Sequence, residues 1–180
     1  MGAAVGVLAL QGDFEAHGRV LAGLGAEVRE VRVPADLERL DALVIPGGES
    51  TTMTLGIERE GLAQPLRELC ARVPVLGTCA GMIMLDRSHL GVLDMVCERN
   101  AFGRQVRSFE GSIALQGFSE PFNAIFIRAP WVAQHAEDIE VLADYEGHPV
   151  AVRRGAIIAV AFHPEIEGDD RLHRWLLEQL

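Results

Sequence analysis

Residues 75–81 read Val-Leu-Gly-Thr-Cys-Ala-Gly, an apolar strand that runs straight into a cysteine flanked by glycines. Short, continuous apolar runs are typical of strands buried on both faces of a parallel sheet. A glycine on either side of a reactive residue is the pattern of a sharp strand-to-helix turn, where larger side chains would crowd the backbone. The stretch therefore predicts a buried strand, a tight turn at Cys79 and a helix that opens at Ala80.

Two further apolar runs end in unusual residues. Run 156–162 is followed by His-Pro-Glu at 163–165, and run 41–45 by Pro-Gly-Gly-Glu-Ser at 46–50. Sites in open α/β sheets form beyond the carboxyl ends of the strands. If the three strands are parallel, their ends meet at one edge of the sheet, and we expect a single crevice there.

The rest of the chain alternates apolar strands with amphipathic helices. This order predicts an α/β fold with a mainly parallel sheet and helices on both faces. We expect strands at 5–10, 27–33, 41–45, 73–76 and 156–162, and helices after Asp13, from Ser50, over 62–71, over 80–85 and after Asp169-Asp170. Asp13 is expected to cap the first helix. Leu172, Trp175, Leu176 and Leu180 are expected to form the apolar face of the last.

The region between these elements is less regular. Residues 93–127 predict antiparallel strands, and 141–143 with 150–152 predict a pair of strands around Glu146-Gly147. We find no internal repeat and no linker, so the sequence predicts one domain over residues 1–180.

Composition and charge limit the function. The chain has 180 residues and a formal net charge of −10, which argues against nucleic acid and anionic membranes as partners. Three cysteines, with no secretory leader, fit a reducing compartment. No run approaches the roughly 20 apolar residues that cross a bilayer. We therefore expect a cytoplasmic protein.

The turn at Cys79 is suited to covalent catalysis. A cysteine at a helix N-terminus is biased toward the thiolate by the helix dipole. The backbone N–H of Ala80 would point into the crevice as an oxyanion donor. The glycines at 47 and 48 could present a second N–H, because no side chain would block it. Each such donor is typically worth about 3 kcal/mol.

His163 and Glu165 supply the remaining groups of a triad. Residues two apart in an extended segment face the same way, so Glu165 could hold one tautomer of His163 while the imidazole faces the thiol. Cys79, His163 and Glu165 are therefore the predicted nucleophile, base and orienting carboxylate. Taken alone, each motif has a simpler interpretation as a buried cysteine or an ordinary turn. Their predicted convergence favours catalysis by acyl transfer.

The other histidines and cysteines lack the spacing of metal ligands, and we expect solvated or internally satisfied side chains. We predict neither a metal nor a cofactor. The residues concerned are His17, His89, His135, His148, His173, Cys70 and Cys97.

These motifs together resemble the class I, or triad, glutamine amidotransferases. Within that class the chain is similar over nearly its whole length to the glutaminase subunits of pyridoxal 5′-phosphate synthases. The resemblance rests on residues 77–81 and 163–165 and on Leu-Gln-Gly at 10–12, Pro-Gly-Gly-Glu-Ser-Thr-Thr at 46–52, Arg-Asn-Ala-Phe-Gly-Arg-Gln at 99–105 and Phe-Ile-Arg-Ala-Pro at 126–130.

The resemblance implies a flavodoxin-like fold and hydrolysis of L-glutamine to glutamate and ammonia. It implies oxyanion donors at Gly48 and Ala80, and substrate contacts from Gly48, Glu49, Ser50, Arg104, Ile127 and Arg128. It also implies a partner, a (β/α)8-barrel synthase subunit that consumes the ammonia in a 12+12 assembly. A guanidinium suits the α-carboxylate of a free amino acid.

Three alternatives stay open at this point. A glutaminase of the imidazole glycerol phosphate synthase type shares the triad but should lack the segment at 99–105. Cysteine hydrolases of the PfpI type place histidine beside the cysteine, where this chain has Ala80. A non-catalytic interaction module would not need all three triad residues.

Overall fold

The fold is described from a computed structural model that covers residues 2–103 and 108–180. Its helices are α1 (Phe14–Gly23), α2 (Ser50–Arg59), α3 (Ala63–Cys70), α4 (Ala80–Leu85) and α5 (Arg171–Glu178), with a short 3₁₀ helix at Pro34–Leu37. Its strands are β1 (Ala4–Leu8), β2 (Glu27–Val31), β3 (Ala42–Ile45), β4 (Val75–Thr78), β5 (Met95–Glu98), β6 (Ser108–Ile113), β7 (Phe122–Ile127), β8 (Trp131–His135), β9 (Glu140–Tyr145), β10 (His148–Arg154) and β11 (Ile157–Val160).

The largest sheet has seven strands in the order β2-β1-β3-β4-β11-β10-β9. The first five of these run parallel, and β10 and β9 are added antiparallel at one end. Because β3, β4 and β11 are parallel neighbours, the residues that follow them lie at one edge of the sheet. The prediction of a mainly parallel α/β fold is confirmed.

The two faces of β4 show that helices cover both sides of the sheet. The hydroxyl of Thr78 lies 3.1 Å from His17 on α1. A β-carbon on the neighbouring Gly77 would instead meet Leu85 on α4. Successive residues of a strand point to opposite faces, so α1 and α4 lie on opposite sides. Every residue of β3 and β4 is buried, as expected for the centre of a parallel sheet.

The less regular region forms two small antiparallel sheets, β5 with β8 and β6 with β7. The predicted antiparallel strands within 93–127 are present as β5, β6 and β7, but β8 lies beyond that range. The pair around Glu146-Gly147 is also confirmed, as β9 and β10. Both loop residues have positive φ, 52° and 82°, which is the pattern of a two-residue type I′ hairpin turn. Among the described residues, no helix combines the length and the hydropathy that crossing a bilayer requires.

The predicted apolar face of the last helix is wrong at its end. Leu172 and Leu176 are buried and Trp175 packs against the core, but Leu180 lies beyond α5 and is 54% exposed. The helix stops at Glu178, so the chain leaves the core before that side chain can reach it.

Candidate active site

Cys79 occupies a strained turn between β4 and α4. Its backbone angles are φ 49° and ψ −107°, a conformation that side-chain-bearing residues rarely adopt and that costs roughly 1–3 kcal/mol. The surrounding structure holds it in place, since its N–H donates to the carbonyl oxygen of Val160 at 2.8 Å. Such strain in a residue of a buried site is a common mark of function.

The flanking glycines allow α4 to approach the sheet. A β-carbon at Gly81 would lie 1.8 Å from the carbonyl oxygen of Ile45. At Gly77 it would lie 2.7 Å from Leu85 and 3.0 Å from the carbonyl oxygen of Gly81. The turn therefore requires both glycines for the crowding reason that the sequence indicated.

His163 lies beside Cys79. A β-carbon on Gly47 would be 3.1 Å from Nδ1 of His163 and 3.3 Å from Cβ of Cys79, so both side chains pack against the same glycine. Both side chains are almost fully buried, with Cys79 5% and His163 3% exposed. The thiol also lies 3.7 Å from the carbonyl oxygen of Ile127. Sulfur and imidazole are brought together as predicted.

Glu165 contacts His163 as expected, but the backbone between them has a different conformation from the one predicted. Its Oε1 lies 2.7 Å from Nδ1 of His163, and its side chain is fully buried. The segment is not extended, however. The N–H of Asp169 donates to Pro164 O, and that of Gly168 to Glu165 O, which forms a turn. The carboxylate reaches the imidazole because the chain folds back, so the alternation argument was wrong although the contact is present.

Asp13 contacts the same imidazole nitrogen. It stands at the N-cap position of α1 but makes no side-chain capping bond, so the expected side-chain cap is wrong. Its Oδ2 lies 3.4 Å from Nδ1 of His163, and this contact lowers the pKa of Asp13. Sequence reasoning missed this role; its one available signal was that Asp13 follows the carboxyl end of β1.

The charge on His163 follows from these neighbours. Burial alone would lower the pKa of its imidazole, but the neighbouring side chains of Asp13, Cys79 and Glu165 raise it to about 12. The ring is therefore a cation at neutral pH, between two carboxylates and a sulfur.

The segment 47–49, which contains the glycine pair, is held by two polar contacts. Gly48 has φ 145°, and the Gly47 carbonyl oxygen accepts from the N–H of Asp13 at 3.4 Å. Oε1 of Gln11 accepts from the N–H of Glu49 at 3.0 Å, while its Nε2 is buried without a hydrogen-bond partner among the described residues. Ala80 opens α4, and the N–H groups of a first helical turn have no partner inside the helix.

A cavity of about 310 Å³ opens in front of the cysteine. It is lined by most of the residues that the resemblance implied, together with others from the same motifs. Its walls include Gln11, Asp13, Gly48, Glu49, Ser50, Cys79, Ala80, Ile83, Arg99, Asn100, Ile127, Arg128 and His163. Arg104 lies outside the described residues, so its expected substrate contact is not placed.

Glu49 has a second role that the sequence did not indicate. Its carboxylate accepts from the N–H groups of Thr51 and Thr52 and from the Thr52 hydroxyl, which caps α2. It also lies 3.3 Å from Arg99. The backbone bonds from Thr51 and Thr52 lower the pKa of Glu49 to about 2. Its carboxylate is therefore an anion at the mouth of the cavity.

The other two cysteines differ from Cys79. All three thiols are free, but burial raises the pKa of Cys70 to about 12 and also raises the pKa of Cys97. Neutral thiols are poor nucleophiles. In the part of the chain that the structure describes, the one cluster of possible metal-ligating side chains is Asp13, His163 and Glu165, within 4.8 Å. The bond between His163 and Glu165 already uses the facing atoms.

Comparison with known proteins identifies the family to which the chain is similar. The profile of the SNO glutamine amidotransferase family matches residues 7–180. The chain is 50% identical to the pyridoxal 5′-phosphate synthase subunit PdxT of Mycobacteroides abscessus, over 98% of this chain and 96% of that protein. It is 46% identical to the PdxT subunit of Thermosipho africanus, over 98% of both.

Solved structures of glutamine amidotransferases have the same fold as this chain. A crystal structure of a glutamine amidotransferase superposes with a TM-score of 0.91 at 45% identity, over 97% of each chain. A putative GMP synthase subunit from Thermoplasma acidophilum shares the fold, with a TM-score of 0.75 at 18% identity over 99% of this chain and 94% of that one. The family match spans the cysteine turn, the His-Pro-Glu turn and the segments between them. This chain belongs to the SNO glutamine amidotransferase family.

Proposed function

We propose that the chain hydrolyses L-glutamine to L-glutamate and ammonia through a thioester on Cys79, and supplies the ammonia to a synthase subunit that makes pyridoxal 5′-phosphate. The observation that carries the proposal is that the buried side chains of Cys79 and His163 pack against the same glycine, Gly47, while Nδ1 of His163 lies 2.7 Å from Oε1 of Glu165. The full-length similarity to PdxT subunits supports the pathway.

The first half of the reaction forms the thioester. The Cys79 thiolate attacks the side-chain amide carbon of glutamine, and the N–H groups of Gly48 and Ala80 stabilise the oxyanion. The C–N bond then breaks, and the His163 imidazolium gives its proton to the departing ammonia. Glu165 keeps the imidazole in the tautomer that faces the sulfur.

The second half releases glutamate. The imidazole, now neutral, takes a proton from water as the water attacks the thioester carbon. The C–S bond breaks and restores the thiolate and the imidazolium. His163 thus first donates a proton to the departing ammonia and then accepts one from the attacking water. A single residue acts as general acid and then as general base.

Substrate recognition is assigned to the cavity walls. Arg128, and Arg104 by the resemblance, would bind the α-carboxylate of glutamine. The anionic Glu49 and the hydroxyl of Ser50 are suited to its α-ammonium group. Gly48 and Ile127 contribute backbone groups. A neutral amide at one end and a zwitterion at the other match a cavity of about 310 Å³ with charges at its mouth.

The partner is assigned from the family. The relatives are named as subunits of pyridoxal 5′-phosphate synthase, and the described residues form one catalytic cavity that would release ammonia and not consume it. We infer a (β/α)8-barrel synthase subunit in a 12+12 assembly, a cytoplasmic location, and the flavodoxin-like fold of class I amidotransferases. Parallel β2-β1-β3-β4-β11 with helices on both faces supports that fold.

Docking would activate the glutaminase by changing the peptide between Gly47 and Gly48. Glycine changes the sign of φ at little cost, and the Gly47 carbonyl accepts a long, 3.4 Å bond from the N–H of Asp13. The glutaminase rate should rise when the synthase subunit is added. Equal rates with and without the subunit would rule this switch out.

The experiment for the proposed function measures ammonia release from L-glutamine with the synthase subunit present. Cys79→Ala should reduce kcat by at least about 1,000-fold, because the covalent route is lost. Cys97→Ala is the matched control and should keep the wild-type rate. A glutamine-analogue electrophile should label the chain on Cys79. Wild-type protein that neither releases ammonia nor is labelled at this residue would contradict the proposal.

A further inference from the structure

Two buried histidines lie behind the candidate site, and the reaction described above does not use them. His17 on α1 and His173 on α5 are both fully buried. Nδ1 of His17 lies 2.8 Å from Nε2 of His173. The two residues are 156 positions apart, so the packing of α1 beside α5 on one face of the sheet brings them together.

The other nitrogen of His17 faces the triad. Nε2 lies 3.1 Å from the hydroxyl of Thr78, the residue before the cysteine, and 3.4 Å from Oε2 of Glu165. Within the described residues that oxygen makes no standard hydrogen bond, whereas Oε1 bonds to His163. His17 is therefore placed to satisfy the unused half of the Glu165 carboxylate.

The carboxylate decides which nitrogen of His17 carries the proton. If Nε2 lacked a proton, its lone pair would face the anionic Oε2, which is repulsive. With the proton on Nε2, His17 donates toward Glu165 and Thr78, and its Nδ1 accepts from the Nε2–H of His173. One chain of donors then runs from His173 through His17 to Glu165.

Both histidines are neutral at neutral pH. Burial lowers the pKa of His173 to about 4. Burial and the nearby His173 and His163 place the pKa of His17 well below its usual value. A neutral donor can hold the carboxylate without cancelling its charge, so Glu165 keeps its effect on the imidazolium of His163.

We propose that His17, fixed by His173, is a positioning residue that holds the carboxylate of Glu165, and through it His163, in the geometry that the glutaminase reaction needs. This inference rests on the proposed function. Outer partners of a catalytic carboxylate keep its orientation, and small displacements of such groups are costly to rate. The simpler alternative is a satisfied core histidine that contributes to stability alone.

The test compares two substitutions of equal polarity. In His17→Gln, the amide nitrogen takes the place of Nε2 and can still donate toward Glu165. In His17→Asn, the shorter amide takes the place of Nδ1 and reaches His173 but not Glu165. With the synthase subunit present, we expect kcat to fall about tenfold in His17→Asn, with KM for glutamine within twofold. His17→Gln should stay within about threefold of wild type.

A second readout separates positioning from stability. The rate at which iodoacetamide alkylates Cys79 reports the thiolate, and its midpoint pH should rise in His17→Asn, because a displaced Glu165 stabilises the imidazolium less. The Cys70→Ala/Cys97→Ala background confines the signal to Cys79. Leu21→Ala, a buried truncation on the same helix, should lower Tm and leave both kcat and the midpoint unchanged.

Several outcomes would overturn the inference. Folded His17→Asn with wild-type kcat and midpoint would do so, as would equal losses in His17→Gln, His17→Asn and Leu21→Ala. If His17→Asn does not fold, His173→Phe, which leaves His17 in place without its fixing bond, must show the slower kcat and the raised midpoint. If the wild-type chain releases no ammonia, the proposed function fails, and the alkylation profile still tests the positioning role.

Discussion

The two faces of strand β4 deliver Cys79 to the site by different physical means. On the α4 face, Gly77 and Gly81 bring backbone against backbone, with contacts too close for any side chain. On the α1 and α5 face, Thr78 meets the buried polar pair of His17 and His173. Close packing therefore fixes the position of Cys79, the proposed nucleophile, whereas the other face places hydrogen-bonding side chains behind it.

The largest effect is expected from Gly81→Ala, on the face of β4 that packs against α4. Its β-carbon would lie 1.8 Å from the Ile45 carbonyl oxygen, so α4 must move away from the sheet. We expect the free energy of unfolding to fall by at least about 3 kcal/mol, measured by urea denaturation. Gly23→Ala is the matched control, since nothing lies within 4 Å of the new carbon. It should be neutral or stabilising by up to about 1 kcal/mol.

If Gly81→Ala proves as stable as wild type, close backbone packing does not fix the turn. In that case the contrast between the two faces would have to be abandoned.

The buried histidines on the α1 and α5 face of β4 should affect the pH dependence of stability. The pKa of His173 falls from 6.5 to about 4 on folding, so the unfolded chain binds more protons between these values. The stability that depends on a neutral His173 is therefore fully present above pH 6.5 and is lost as the pH falls toward 4. The loss from His173 alone is about 3 kcal/mol, at roughly 1.4 kcal/mol per pKa unit. His17 acts in the same direction.

This pH range separates the effect of His17 and His173 on stability from that of His163. His163, whose pKa is raised, contributes stability that is lost as the pH rises above 6.5, outside the window. His173→Leu should flatten the curve between pH 6.5 and 4, measured by thermal unfolding across a pH series. His135→Gln, a change at an exposed histidine, should leave it as in wild type. If the curve of His173→Leu is not flattened, the two buried histidines do not cause the loss of stability at low pH.

The smallest effect is expected from Thr78→Val, which removes the hydroxyl beside His17 and keeps the shape of the side chain. The free energy of unfolding should fall by about 1 kcal/mol. Combined with His17→Asn, the loss should be smaller than the sum by at least about 0.5 kcal/mol, because both changes remove one contact. Strict additivity in this double-mutant cycle would mean that the 3.1 Å contact carries no coupling.

The site could be predicted as far as it depends on strand ends. Cys79 and His163 each follow a buried run, and parallel strands bring such positions to one edge. The crowding at Gly77 and Gly81 was also readable, because a sharp strand-to-helix turn demands it. The α/β fold followed from the alternation of runs for the same reason.

Other features depended on geometry that the sequence does not carry. Glu165 reaches His163 through a turn, and the carboxylate of Asp13 turns toward His163 and not to its helix. Both choices follow from where the imidazole lies after folding. The pairing of His17 with His173 needs two helices in a particular register on one face, and neither helix encodes the position of the other.

The backbone of Cys79 has one further consequence. At φ 49° and ψ −107°, glycine would carry less strain than any residue with a side chain. Selection for folding alone would thus favour glycine over cysteine, so a cysteine at this position fits the proposed covalent chemistry. In a descendant lineage that no longer needed ammonia, this position should be among the first to drift, and it would drift toward glycine.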